Sequence, residues 1–263
     1  MLQRTAFVLI AILLNLRMAF AGDETEAGSN DFGLAIGPAG YQVKENVLNK
    51  IRHKGTFISG GLFYERSRAF SKQRFEFYAI FSKLESRYDP DKASIVINPS
   101  MDYRYARKIE DISQHVALFA GGVAGFDSHI AYYENWDESH FYWLTSYYLG
   151  FAGVLTYRQS ETGSLYLEVD IPVVALISRP LARILRKEVN PEFSWIAGKL
   201  HEDLTLTSIH QHFALNMDLG YTFRYSDRFR QSIFWRSRYT KNSMAYSRDI
   251  AILTHTLGVT FLF

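Results

Sequence analysis

Apolar and polar residues alternate with a period of two along most of this chain, in runs bounded by turn-forming residues. Phe75, Phe77, Ala79 and Phe81 oppose Arg74, Glu76, Tyr78 and Ile80. Leu165, Leu167, Val169, Ile171 and Val173 oppose Tyr166, Glu168 and Asp170. Phe213, Leu215, Met217, Leu219, Tyr221 and Phe223 oppose His212, Ala214, Asn216, Asp218, Gly220, Thr222 and Arg224. Successive side chains of an extended strand point to opposite faces, so each run predicts a strand with one greasy and one polar face. Ten strands are predicted, near 31–40, 55–66, 73–83, 95–106, 114–126, 140–157, 164–178, 205–224, 229–240 and 249–263. The first two are the faintest, diluted by Gly33, Gly37, Gly40, Gly60 and Gly61.

The connections alternate as well. Long ones fall near 41–54, 84–94, 127–139, 179–204 and 241–248, and short ones near 67–72, 107–113, 158–163 and 225–228. A membrane barrel with long extracellular loops, short periplasmic turns and both termini in the periplasm has this parity. The predicted strands, of about 10–15 residues, are also long enough to cross a bilayer at a tilt, which takes roughly 9–11. The segment 179–204 could hold a short helix at Leu181–Lys187 or a further strand around Pro191–Gly198. Eight or twelve strands are therefore the alternatives to ten, since an even number is expected.

The last strand is the most specific. Leu253, Leu257, Val259, Phe261 and Phe263 share one face, while Thr254, Thr256, Gly258 and Thr260 share the other. A greasy terminal strand is an aggregation hazard in water and suits a barrel wall that meets lipid. At the other end, Arg4, the apolar run Ala6–Leu14 and the small-residue site Ala19-Phe20-Ala21 predict a cleaved secretory signal over 1–21. That run is too short for a membrane helix, which needs about 20 residues. The polar stretch 22–30 predicts a flexible lead-in to a barrel over 31–263.

Composition narrows the class. The 263 residues are 48% hydrophobic and 21% charged, which is ordinary, but 20 Phe, 17 Tyr and 4 Trp raise the aromatics to 16%. Such enrichment suits strands and the aromatic girdles of a membrane barrel. The absence of cysteine excludes a disulfide framework, thiolate metal sites and thiol catalysis. A net charge of +2 offers no electrostatic footprint for nucleic acid.

If the apolar faces meet lipid, the opposite faces list the interior. They carry Glu65, Arg74, Glu76, Asp102, Arg104, Glu168, Asp170, Asp218, Arg224, Arg230, Arg236 and Arg238, six acidic and six basic residues. A barrel this narrow is filled mostly by its own side chains, and unpaired charges in it would be prohibitive, so a paired charge network is expected. His210 and His212, at i and i+2 on a strand, would point to the same side and could share a metal with a third ligand. Two histidines alone do not make a site, and no metal is assigned. His255 falls on the apolar face as a girdle residue. In the third loop Asp127, Ser128, His129, Asp137, Ser139 and His140 include the residue types of a nucleophile with its base. The fourth loop is basic and aromatic, with Arg179, Arg183, Arg186, Lys187 and Lys199 beside Phe193 and Trp195, a composition that suits phosphates.

The signal, the alternating strands, the connection parity and the terminal Phe263 together resemble a small monomeric outer-membrane β-barrel of a Gram-negative bacterium. The resemblance implies insertion by an assembly machinery that reads the C-terminal strand, and contact with outer-membrane lipid and lipopolysaccharide. Ten strands also invite comparison with the omptin surface proteases, which use paired acidic residues and an Asp/His couple at the extracellular rim. Here Gln211 separates His210 from His212, and no Asp precedes either at the required spacing. Outer-membrane phospholipases and lipid A deacylases use a Ser/His pair, for which Ser208 with His210 is the nearest match. No GxSxG, HExxH or Walker-type loop is present. The expected protein is all-β, a single closed antiparallel transmembrane barrel that needs no cofactor. Its expected role is structural, surface-interacting or that of a narrow small-solute channel. The alternative is an outer-membrane hydrolase cleaving lipid or peptide at the rim.

Overall fold

The computed structural model of the chain describes residues 28–45, 52–86, 93–133, 140–179, 200–201, 203–226, 229–243 and 249–263. They form β1 (Ser29–Glu45), β2 (Arg52–Ser67), β3 (Ser71–Ser86), β4 (Ala93–Ser113), β5 (Val116–Tyr133), β6 (His140–Arg158), β7 (Gly163–Ser178), β8 (Thr205–Ser208), β9 (His212–Arg224), β10 (Arg230–Asn242) and β11 (Ile250–Leu262). β8 and β9 are two pieces of one barrel stave, because both pair with β7, β8 along Val174–Ile177 and β9 along Gly163–Asp170. Every stave lies antiparallel to its sequence neighbour, and β1 pairs with β11, so ten staves close into a ring. Closure joins the two ends of the sheet, and among the described strands β8 alone is paired on one side only. At the seam the amide of Phe263 donates to the carbonyl of Phe32 at 2.8 Å, and the Phe32 amide donates to Phe263 at 3.1 Å.

All ten predicted strands are present. Phe75, Phe77, Phe81, Phe213, Leu219 and Phe223 are exposed on the outer face, while Glu76, Tyr78, Ile80, His212, Ala214 and Asp218 are buried inside. One predicted position slips. Leu149 pairs with Val174 and Gly150 with Pro172, so Val173 is the extra residue of a bulge and the outward face passes to Val174. β1 begins at Ser29, inside the stretch 22–30 expected as a lead-in. Residues 1–27, including the expected signal, lie outside the described residues.

The strands run well past their predicted ends, to 17 residues in β1 and 21 in β4. Of the positions read as long loops, 41–45 and 52–54 in the first and 84–86 and 93–94 in the second are therefore sheet. The cause is an inversion of polarity. Beyond the apolar belt the outward positions become Gln42, Lys44, Lys54, Lys83 and Lys241, and the inward ones Tyr41, Val43, Leu84, Val96, Ile177 and Ile250. Alternation persists with its phase reversed, which is the pattern of a sheet in water around an apolar core. The inward residues of this extension pack into one cluster with Ala131, Tyr142 and Leu144. The suggested helix at Leu181–Lys187 and strand at Pro191–Gly198 fall outside the described residues.

Candidate functional site

The polar interior lies between this apolar cluster, at the end bearing the longer connections (the loop end), and the opposite, turn end. Arg236 on β10 is its centre. Its guanidinium donates to both oxygens of Glu76 on β3, at 2.6 and 3.0 Å. It also reaches Asp218 on the adjacent β9, through Nε at 2.9 Å and Nη2 at 2.6 Å. Three strands lie between β10 and β3 around the wall, so the Glu76 bond crosses the interior. The network continues. Arg74 approaches Glu76 and Glu168, each at 3.4 Å. Arg104 on β4 bonds Glu168 and Asp170 on β7, its Nε lying 2.9 Å from Asp170. Asp218, Arg236, Glu76, Arg74, Glu168, Arg104 and Asp170 thus form one unbroken chain of opposite charges. Arginine suits this role because its planar fork satisfies two carboxylates at once.

A second layer sits nearer the loop end. Arg238 donates to Asp102 at 2.9 Å and to the Ser100 hydroxyl at 2.7 Å, and the Tyr148 hydroxyl also donates to Asp102. Tyr78 lies between the layers, its ring centroid 4.5 Å from the Arg236 guanidinium and 5.9 Å from that of Arg238. Cation–π contact of this kind gives the inner faces of both guanidiniums a partner where water is scarce. Above them Asn98 donates to Asp127 at 2.9 Å. The space left between Asn98, Asp127, Ser146, His212 and Arg238 is about 20 Å³, little more than one water-sized sphere.

Toward the turn end the interior opens. Glu65 accepts a bond from Ser67 at 3.0 Å, and Arg230 pairs with Asp31. A cavity of about 100 Å³ beside Glu65, Lys72, Arg74 and Tyr166 leads into a vestibule of about 910 Å³ at the mouth. Arg224, expected within the network, is exposed at the end of β9 and lines a recess at that mouth. Ser100, Tyr78 and Tyr148 join the charged residues expected inside, and Asp31 pairs there with Arg230. Tyr78 was legible as inward by alternation. Asp31 was hidden because Gly33 and Gly37 blur the phase of β1.

The histidine pair does not form. Residues 209–211 make a turn closed by a bond from the Gln211 amide to the Ser208 carbonyl at 2.9 Å, which interrupts the stave. His210 is exposed in that turn and Ser208 is exposed before it, whereas His212 is buried inside, its Nδ1 3.5 Å from the Asn242 amide nitrogen. Strand parity cannot be carried across a turn, and with it goes the Ser208/His210 match. Asp127, Ser128 and His129, read as rim residues of a loop, lie in the β5 ladder instead. His129 is fully buried, its Nδ1 2.6 Å from the Tyr41 hydroxyl. Asp137 and the side chain of His140 lie outside the described residues, as do Arg183, Arg186, Lys187, Phe193, Trp195 and Lys199. Arg179 is buried against Asn242, donating to its side-chain oxygen at 2.7 Å. His255 is on the outer face, stacked on Trp235 with centroids 5.8 Å apart. Phe263 is exposed, its ring 5.7 Å from that of Phe229.

No protein-family model and no curated protein matches the chain. Solved structures similar to it include the outer membrane protease OmpT from Escherichia coli, at 10% identity and a TM-score of 0.49, covering 91% of this chain and 99% of that one. Neisserial surface protein A matches at 10% identity and a TM-score of 0.39, covering 90% of this chain and 100% of that one. The COG4313 outer membrane channel from Pseudomonas putida F1 matches at 8% identity and a TM-score of 0.38, covering 92% and 99%.

Proposed function

We propose that this protein is an integral outer-membrane β-barrel whose interior is closed, with a structural or surface-presenting role. The outer face supports the membrane placement. Phe32, Leu34, Leu62, Phe77, Phe151, Leu219 and Leu257 stand exposed around the wall, and a belt of this kind needs lipid to cover it. In this reading the turn end faces the periplasm, and the loop-end extension with its lysine collar stands among lipopolysaccharide phosphates.

The observation that carries the closed interior is the double grip of Arg236 on Glu76 and Asp218, made by side chains only 3–8% exposed. A water-filled pore would hydrate these charges and pull their partners apart. The apolar cluster at the loop end stands above this layer as a second barrier. The test is planar-bilayer recording on refolded, heat-modifiable protein. The wild type is expected to give no discrete steps, and simultaneous Glu76→Ala, Asp218→Ala and Arg236→Ala changes to give small steps or noise. Steady single-channel conductance from the wild type would show that the interior conducts.

A further inference from the structure

The vestibule at the turn end is charged out of proportion to the rest of the interior. Arg68, Lys72, Lys108, Arg158 and Arg230 line it, with Asp111 as its one carboxylate. The deeper network is close to balanced and mutually bonded; here the balance is lost. Two of the five cations are engaged, Lys108 with Asp111 at 2.6 Å and Arg230 with Asp31. Lys72 is drawn toward Glu65 and Glu168 of the adjoining cavity, and among the described residues no ion pair engages Arg68 or Arg158. The Lys72 ammonium lies 5.1 Å above the centroid of the buried Phe119 ring, and the Arg68 Nε is buried with no hydrogen-bond partner.

Like charges converging on a concave, low-dielectric wall repel one another and raise the local concentration of counter-ions. Such a surface is costly unless an anion shares it. The walls come from the β2–β3 and β4–β5 turns, the strand ends beside them and the ends of β6, β7 and β10, all on a closed sheet, so the backbone that carries the cations is set before any ligand arrives. At about 910 Å³ the vestibule has the size of a small-molecule site. Inward it adjoins a cavity of about 100 Å³, beyond which the bonded layer of Arg74, Glu76, Asp218 and Arg236 stands across the interior, so a solute that enters cannot pass through.

We infer that the turn-end vestibule is a dead-end binding cup for a small multivalent anion of the phosphate or pyrophosphate type, held chiefly by Arg68, Lys72 and Arg158. Arginine offers paired donors to phosphate oxygens and lysine a point charge. The cup lies within the ring of strands, which makes a free phosphorylated solute its ligand and not the headgroup of a membrane lipid. It takes ligand without transporting it.

The experiment is calorimetric titration of inorganic pyrophosphate into the folded full-length barrel in a zwitterionic detergent, at low and at raised ionic strength. The wild type is expected to bind one pyrophosphate, more weakly as salt is added. Lys72→Gln and Arg158→Gln are each expected to weaken binding about tenfold, the loss of one charge-assisted contact, and the double variant to abolish measurable binding. Lys241→Gln, an outward cation at the far end, serves as a control and leaves binding unchanged. Heat-modifiable migration on gels confirms that every variant is folded. No binding by the wild type, or equal binding by Lys72→Gln, Arg158→Gln and wild type, would overturn the assignment.

Discussion

Arg236→Met is expected to destabilise the folded barrel by about 3–5 kcal/mol, because it strips Asp218 of its ion-pair partner and leaves Glu76 with only the longer contact to Arg74 at 3.4 Å. The expectation rests on burial. Arg236, Glu76 and Asp218 expose only 3%, 4% and 8% of their side chains, so water can neither screen the pair nor replace the lost partner. The contrast is the Lys108–Asp111 pair at 2.6 Å, whose side chains are 21% and 59% exposed. Lys108→Ala is expected to change stability by under about 1 kcal/mol despite the short contact, as surface pairs do. The triple change Arg236→Met, Glu76→Gln and Asp218→Asn is expected to recover most of the loss, since the cost lies in the orphaned charges and not in the missing guanidinium. Urea unfolding of barrels in lipid vesicles, followed by tryptophan fluorescence, measures all three. A single Arg236→Met variant as stable as the wild type would mean that water reaches this layer, and would sink the closed interior with it.

Gly37→Ala is expected to loosen the seam between β1 and β11, where closure of the ring depends on close backbone approach. A Cβ at Gly37 would lie against the Leu257 carbonyl oxygen and 2.6 Å from the Gly258 Cα. Both obstacles are backbone, so no rotamer change relieves them and the strands must part. Overpacking of this kind costs about 1–3 kcal/mol, and Gly37→Val is expected to exceed that range. Gly40, three residues along the same strand, is the internal control. A Cβ there meets nothing nearer than the His255 oxygen at 4.0 Å, and Gly40→Ala is expected to stay within about 0.5 kcal/mol of the wild type. The two variants compared by urea unfolding separate close approach from a general intolerance of the strand to side chains. Equal stability of Gly37→Ala and Gly40→Ala would remove the seam argument.

How much of this was legible in the sequence depended on the phase of the alternation. Where one face is greasy and the other polar, as along Phe213–Arg224, the inward set could be read residue by residue and is found inside. Where the phase reverses, as from Tyr41 to Lys44 and from Leu84 to Glu85, the same rule stopped the strand early and turned sheet into loop. Where a turn breaks the stave at 209–211, parity failed outright, and His210 and His212 part company. The pairing within the interior was beyond reach by any such rule. Alternation assigns Arg236 and Glu76 to one face but cannot say that positions 160 residues apart stand opposite each other across the ring.

The residues along the chain thus carry the strand count, the antiparallel neighbours and most of the choice between inner and outer face, because these follow from the two-residue period of a single strand. Closure decides the rest. Which arginine meets which carboxylate, where the interior is closed, and where cations gather at its mouth all depend on register and on distances across the barrel. Those distances exist only once β1 has met β11.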